Sequence, residues 1–256
     1  MMLEVREITK VFGGLIALNR VGFKTRTGGI LGLIGPNGAG KTTIFNLITG
    51  VLKPDGGQVI FQERPLTGLQ PFQIAELGIG RTFQNLELFT NLTVAENVMV
   101  GAFRKSRVGF MRSVFRRPGT MREDQKLYRE IVGLLDRLGL AEYADLPAGN
   151  LPFGQQRLLE IARALAAQPK ILLLDEPAAG LNPKESQELA RFLRSLCDRG
   201  YSLVLVEHDM ETVMSLADEV VVLNFGTVIA TGTPAEVQSN PEVIAAYLGE
   251  GEEEAC

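Results

Sequence analysis

The 256-residue chain is short of cysteine, histidine and long apolar runs, and each shortage excludes something. Cys197 and Cys256 are too few, and too oddly placed, for a disulfide framework or a thiolate metal site. No stretch approaches the ~18 apolar residues of a membrane-spanning helix. The opening MMLEVREITK has no apolar run behind its charges, so it does not read as a signal peptide. These absences predict a cytosolic, reduced setting. Cations are not in excess either: 26 Lys and Arg stand against 30 Asp and Glu, for a net charge of −4. No global positive field is there to collect nucleic acid. Repeats of fixed period and low-complexity linkers are also missing. What remains, 45% hydrophobic and 22% charged residues, is ordinary for a soluble globular chain with one large core.

Against that background one stretch stands out. Gly35-Pro36-Asn37-Gly38-Ala39-Gly40-Lys41-Thr42-Thr43 satisfies G-x-x-x-x-G-K-[ST]. With glycine at about 7% of residues, a chance match has odds on the order of one in a hundred. The flanks lower that further: Ile30 to Ile34 reads as a buried strand, and Thr42 to Ile48 continues as a helix. Such a loop turns its backbone N–H groups toward an anion, and the helix adds its own unpaired N–H groups and positive dipole end. Lys41 is placed to reach β- and γ-phosphates, Thr42 to ligate Mg²⁺, and Thr43 to donate to the α-phosphate. The loop predicts a bound nucleoside triphosphate.

The flanking segments predict the scaffold. Residues 3–8, Val21 with Phe23, and Gln58 to Phe61 read as strands separated by turns, so an antiparallel layer is expected beside the phosphate-binding sheet. Phe12, next to Gly13 and Gly14, is either ordinary core or a ring presented at the surface to stack on adenine. A short helix from Phe72 to Leu77, stopped by Gly78, precedes a strand from Ile79 to Phe83; Gln84 at its end is ordinarily a solvated residue. Thr93 with Glu96 and Thr120 with Glu123 have capping-box form, and Leu127, Ile131, Leu134, Leu135 and Leu138 make a helical stripe. Residues 104–117 carry Arg104, Lys105, Arg107, Arg112, Arg116 and Arg117 without an acid. That segment reads as a solvated loop, as a surface for a partner or an anionic leaflet, or, third, as one for nucleic acid.

A second chemical constellation follows. Leu151 to Arg157 (LPFGQQR) leads into a helix with Leu158, Ile161, Ala162 and Leu165 on one face. Ile171 to Leu174 is an apolar strand that delivers Asp175 and Glu176 at its end, where open α/β sheets bind ligands. Asp175 is expected to hold Mg²⁺ and Glu176 to orient the attacking water, one strand away from the phosphate loop. Asn182, Pro183 and Glu185 read as N-cap, N1 and N3 of a helix. His208, the only histidine, closes the strand Ser202 to Val206 and is placed to meet a γ-phosphate oxygen. Val220 to Leu223 and Thr227 to Thr231 read as a hairpin, Thr233 opens a last helix, and GEEEAC is a solvated acidic end.

In this order the stations resemble the ATP-binding subunits of ABC transporters over essentially the whole chain. Gly35 to Thr43 are similar to the Walker A loop and Ile171 to Glu176 to the Walker B strand with its catalytic glutamate. Gln84 matches the Q-loop, His208 the switch histidine, Phe12 the A-loop aromatic, and Leu151 to Arg157 the signature segment. Two positions depart from the pattern: Pro152 stands where the signature usually has a serine hydroxyl, and Asn182 where the D-loop usually has Asp. The nucleotide contact of that segment then rests on Gly154, Gln155 and the helix dipole.

The resemblance implies an α/β fold: a P-loop NTPase core with a mainly parallel sheet, an antiparallel β layer and an inserted α-helical subdomain. Residues 1–86 and 166–232 would form the core, 87–165 the helical subdomain, and 233–256 a C-terminal helix and acidic tail. It implies ATP and Mg²⁺ as cofactors, with Lys41, Gln84, Glu176 and His208 in the catalytic set and Thr42, Gln84 and Asp175 on the metal. Phe12, Gly35, Asn37, Gly38, Ala39, Gly40, Lys41, Thr42, Thr43, Gly154 and Gln155 would hold the nucleotide.

It further implies a head-to-tail pair with a second ATP-binding subunit, in which each ATP is shared with the partner's signature segment. Two permease subunits would dock on residues 85–118, with a periplasmic binding protein as an indirect partner and the pair peripheral on the cytoplasmic membrane face. Within the family, Gly78 to Asn85, Leu88-Phe89, the insertion after Gly101, Phe153 to Arg157 and Pro241 to Gly249 resemble the branched-chain amino-acid import ATPases. A lipid or lipopolysaccharide exporter, a soluble ABC ATPase acting on DNA or ribosomes, and a small-molecule kinase are the rival readings. The kinase leaves Leu151 to Arg157 and His208 unexplained, and the soluble ATPase lacks its expected coiled-coil heptads or tandem halves.

Overall fold

The computed structural model describes residues 1–82, 87–102, 120–207 and 210–248. Gln84, His208, the basic segment 104–117 and the acidic end lie outside them, as do the side chains of 120–124, 211 and 248. Two compact units are present: residues 1–81, 170–176 and 193–256, and residues 82–169 and 177–192.

The first unit contains two sheets. Strands β1 (Leu3–Phe12), β2 (Leu15–Thr25), β4 (Gly56–Phe61) and β5 (Arg64–Pro65) form an antiparallel sheet in the order β2-β1-β4-β5. Strands β3 (Ile30–Ile34), β6 (Ile79–Arg81), β7 (Ile171–Asp175), β8 (Ser202–Val206), β9 (Glu219–Asn224) and β10 (Thr227–Gly232) form the second, in the order β10-β9-β3-β8-β7-β6. All its pairings are parallel except the β9–β10 hairpin. β3, β7 and β8 are buried along their whole length, which is why each reads as a continuous apolar run rather than an alternating one.

Helix α1 (Lys41–Ile48) follows β3, and its Ile44, Phe45 and Ile48 are at most 1% exposed. They join Leu3, Ile8, Leu18 and Phe61 of the antiparallel sheet and Leu173 and Val206 of the parallel one in a single core cluster. Each such side chain contributes roughly 1.5–3 kcal/mol on full burial, so the helix after the phosphate loop is held mainly by its apolar face. The short helices α2 (Pro71–Leu77), α7 (Met210–Leu216), α8 (Pro234–Gln238) and α9 (Pro241–Leu248) complete this unit, which also takes the last turns of α6 (Pro183–Asp198).

In the second unit α3 (Val94–Ala102), α4 (Thr120–Arg137) and α5 (Phe153–Ala166) pack together. The Thr93–Glu96 capping box forms: Glu96 N–H donates to Thr93 Oγ1 at 3.2 Å and Thr93 N–H to Glu96 Oε2 at 2.8 Å. The side chains of the expected Thr120–Glu123 capping box lie outside the described residues. Ile131, Leu134, Leu135 and Leu138 are buried, Leu127 only partly, and Gly139 at φ 67 ends the helix. α3 and α5 cross so closely that a Cβ on Gly101 would lie 2.0 Å from the Arg163 carbonyl oxygen.

Candidate nucleotide-binding site

The phosphate cradle is built where β3 leaves the sheet. Gly35 adopts φ 147, and a Cβ there would lie 2.1 Å from the Leu223 carbonyl oxygen on β9. Only glycine lets the loop begin its turn against the neighbouring strand. Asn37 and Gly38 are exposed at the crest, and Ala39 is buried beneath it. Gly40 is the N-cap of α1 at φ 103 and has no side chain with which to cap the first turn. A helix start of this kind is a ready anion site.

Lys41 folds back into the loop, its Nζ donating to the carbonyls of Gly35 at 2.5 Å and Pro36 at 2.8 Å. It is 6% exposed, so the ammonium is fixed inside the cradle. Thr42 is exposed and Thr43 half-buried on the first turn.

The acids come from β7, and it is not the neighbour of β3: β8 lies between them. The ladder nevertheless aligns the elements, since Val206 pairs with both Leu33 and Asp175. Asp175 is 1% exposed. Glu176 turns the chain at φ 49, its N–H donating to the Val206 carbonyl at 2.8 Å. A non-glycine residue held left-handed costs about 1–2 kcal/mol, and such strain collects at functional sites. A buried ammonium, helix N–H groups, the Thr42 hydroxyl and the Asp175 carboxylate make a donor set that fits a triphosphate, with hard oxygen ligands suited to magnesium. No cluster of three or more His, Cys, Asp or Glu able to hold a metal by itself occurs among the described residues.

Phe12 ends β1 and is 43% exposed, which favours the presented ring over the core reading. Lys10 Nζ lies 5.3 Å from its centroid, and Asp55 anchors this strand end by accepting from Val11 N–H at 2.7 Å. Asp55 also takes Lys10 Nζ at 3.2 Å, and these bonds, the Val11 one foremost, hold its carboxyl below the usual range.

The second unit carries the segment Leu151 to Arg157. Pro152 is the N-cap of α5, which begins at Phe153. Gly154 and Gln155 are half-buried on its first turn. A Cβ on Gly154 would meet Leu181 Cδ2 at 2.8 Å. Gln155 Nε2 donates to the Tyr143 hydroxyl at 3.3 Å, while its Oε1 is buried without a hydrogen-bond partner among the described residues. Asn182 caps α6 as expected, accepting from Lys184 N–H and Glu185 N–H at 3.0 Å each.

Three residues of consequence escaped the sequence reading. Arg81 on β6 reaches Asp175, with Nη2 3.3 Å from Oδ2. Burial lowers the affinity of this guanidinium for its proton, and Asp175 acts in the opposite direction. Arg157 and Glu160 form a buried pair at 3.2 Å on α5. In the first case a visible signal was there: a lone cation in a short apolar strand. Cys197, by contrast, is inert, since burial pushes its thiol up to about 11.

Residues 18–179 match the family described as ABC transporter, and 227–253 match the one described as branched-chain amino acid ATP-binding cassette transporter. The chain is 46% identical over 250 residues to the high-affinity branched-chain amino acid transport ATP-binding protein LivG of Salmonella typhimurium, covering 97% of this chain and 98% of that protein. The chain belongs to the ABC transporter ATP-binding family. A solved ATP-binding cassette of an ABC transporter in its ADP conformation superposes on this one with a TM-score of 0.83 at 32% identity, covering 97% and 98% of the two chains. A cassette solved as a dimer in a post-hydrolysis state with ADP and Pi gives 0.77 at 27% identity, covering 91% and 99%. As an ABC cassette the chain binds and hydrolyses ATP. No helix among its described residues is long and apolar enough to cross a membrane.

Proposed function

We propose that this ABC ATPase powers import of branched-chain or other hydrophobic amino acids. The observation that carries the cargo reading is the match of residues 227–253 to the branched-chain cassette family. That match lies beyond the general ATPase match, which ends at residue 179.

In this reading two ATP-binding subunits pair head-to-tail, the second being a different homologous chain. Each ATP lies between the Gly35–Thr43 loop of one subunit and the Leu151–Arg157 segment of the other. The buried ammonium of Lys41 takes β- and γ-phosphate oxygens in place of the two carbonyls it now holds. Magnesium, when bound with the nucleotide, neutralises phosphate charge, and Thr42, Gln84 and Asp175 would hold it. Glu176 orients and deprotonates water, His208 steadies the γ-phosphate, and Phe12 stacks on the base. Gly154 and Gln155 meet the partner's nucleotide. Two membrane permeases receive the motion, which holds the pair peripheral at the cytoplasmic membrane face, and a periplasmic binding protein delivers cargo.

The test is reconstitution of the pair with its permeases in vesicles. ATPase activity should rise when a binding protein loaded with leucine, isoleucine or valine is added. A rise with a lipid or lipopolysaccharide and none with these amino acids overturns the cargo assignment. Replacing His208 by Ala should lower hydrolysis more than ATP binding; equal losses would return His208 to a structural role.

A further inference from the structure

Arg81 occupies a position that the phosphate chemistry does not by itself require. Its guanidinium is gripped from three sides. Nη1 donates to Asn46 Oδ1 at 2.6 Å and lies 3.4 Å from Thr49 Oγ1, both on the last turns of α1 or its C-cap. Nη2 donates to Asp175 Oδ2 at 3.3 Å. The carbon between them stands 5.4 Å from the centroid of Phe45, itself 0% exposed. Thr49 is in turn fixed by donating to the Phe45 carbonyl at 2.7 Å. The two charged side chains are 7% and 2% exposed.

A carboxylate buried to this degree needs an opposite charge close by. A metal bound with the nucleotide would supply one only while it is there. Arg81 supplies one that stays. We propose that Arg81 is a positioning residue, the standing counter-cation of Asp175, holding the Walker B carboxylate against the far end of the phosphate-binding helix whenever no metal-bound nucleotide is there.

The inference rests on the nucleotide site described above, and it has a directional consequence. A metal ion binding beside Asp175 meets a positive charge already in place, so Arg81 weakens metal binding while stabilising the empty site. Removing the charge should reverse both effects. Arg81→Met keeps most of the apolar stem over Phe45 and takes the guanidinium charge away from Asp175. A cation that binds Asp175 then stabilises the variant more than the parent protein, because ligands stabilise the state they bind.

Thermal unfolding tests this in three conditions: EDTA, ADP with EDTA, and ADP with Mg²⁺. Arg81→Met should lower the melting temperature by roughly 6–12 °C in EDTA. ADP with Mg²⁺ should restore more than half of that loss, and ADP with EDTA should not. The Mg²⁺ concentration giving half of the ADP-dependent shift should fall at least threefold. In an Asp175→Asn background the same substitution should cost less than a third as much. Arg81→Lys, which keeps the charge, should retain most of the parent behaviour. If Arg81→Met gives no folded protein, Asn46→Ala loosens the same guanidinium and should show a smaller loss with the same dependence on metal. A loss equal in all three conditions, or equal in the Asp175→Asn background, makes Arg81 a simple strut and overturns the inference. If the parent protein gains nothing from Mg²⁺ over ADP alone, the nucleotide-site reading fails as well; if the parent gains and the variant's loss ignores metal, only this inference fails.

Discussion

The ring of Phe153 fills the space into which a side chain on Gly180 would project: a Cβ there would lie 2.4 Å from Phe153 Cδ1 and 2.5 Å from Cε1. Phe153 is the third residue of the signature segment, and Gly180, at φ 79, stands two residues before the cap of α6. The ring also lies 5.8 Å under the Arg157 guanidinium. The start of the signature helix and the 177–182 loop of this ABC ATPase are therefore packed as one piece within the second unit. Replacing Gly180 by Ala should cost about 1–2 kcal/mol for the left-handed backbone and about 1 kcal/mol or more for displacing the ring. In a Phe153→Ala background only the first part should remain, giving a coupling of at least about 1 kcal/mol. Urea unfolding of the four proteins measures it, and identical costs in both backgrounds would mean that the ring swings away freely.

Lys41 is fixed in the cradle by two carbonyls that a triphosphate would replace. Lys41→Ala should weaken ATP binding roughly 10- to 100-fold, the worth of one or two charge-assisted hydrogen bonds. Fluorescent-nucleotide titration checks this. Unchanged affinity and turnover would remove Lys41 from phosphate binding.

Glu176 holds a left-handed φ of 49, and exchanging its carboxylate for an amide of the same shape asks nothing new of the backbone. Glu176→Gln should therefore melt within a degree or two of the parent while losing about 10²–10⁴ in hydrolysis, the usual worth of a general base. ATP should stay bound, and the pair should persist in its closed form. Single-turnover kinetics beside a binding titration separates the two effects; normal turnover would leave the water-activating role to another group.

Asp55 makes the strand end bearing Phe12 sensitive to acid. Its carboxyl is held below its ordinary value of 3.8 by the Val11 N–H first and Lys10 second. A group lowered by folding stabilises the fold above its unfolded value, and that contribution disappears as pH falls through the folded value. The Val11 amide should thus lose protection only as pH falls below the ordinary value of 3.8 and through the folded one. Asp55→Asn should remove this pH dependence and leave the amide similarly protected on both sides of that window. An amide equally protected above and well below 3.8 in the parent protein would exclude the bond from holding Phe12 in place.

Much of the phosphate site was legible because its determinants are local. Gly35 to Thr43 states a strand, a turn and a helix within a few residues, and the apolar run into Asp175 and Glu176 marks a buried strand end. Asn182, Thr93 and Thr233 name their own helices, since a cap bonds only to N–H groups two or three positions onward. Arg81 and Asp175, 94 residues apart, meet only because β6 pairs with β7, and no local pattern carries that information.

By itself, then, the chain determined the local conformations of the proposed phosphate-binding residues, because hydrogen-bonding groups and backbone sterics act over a few positions. The tertiary structure alone decided that β8 separates the acid strand from the phosphate loop, that Asp175 leans on Arg81, and that Phe153 closes over Gly180. Strand order and side-chain packing are settled by burying many distant apolar residues at once, and that collective burial is spread too thinly along the sequence to be read from any one stretch.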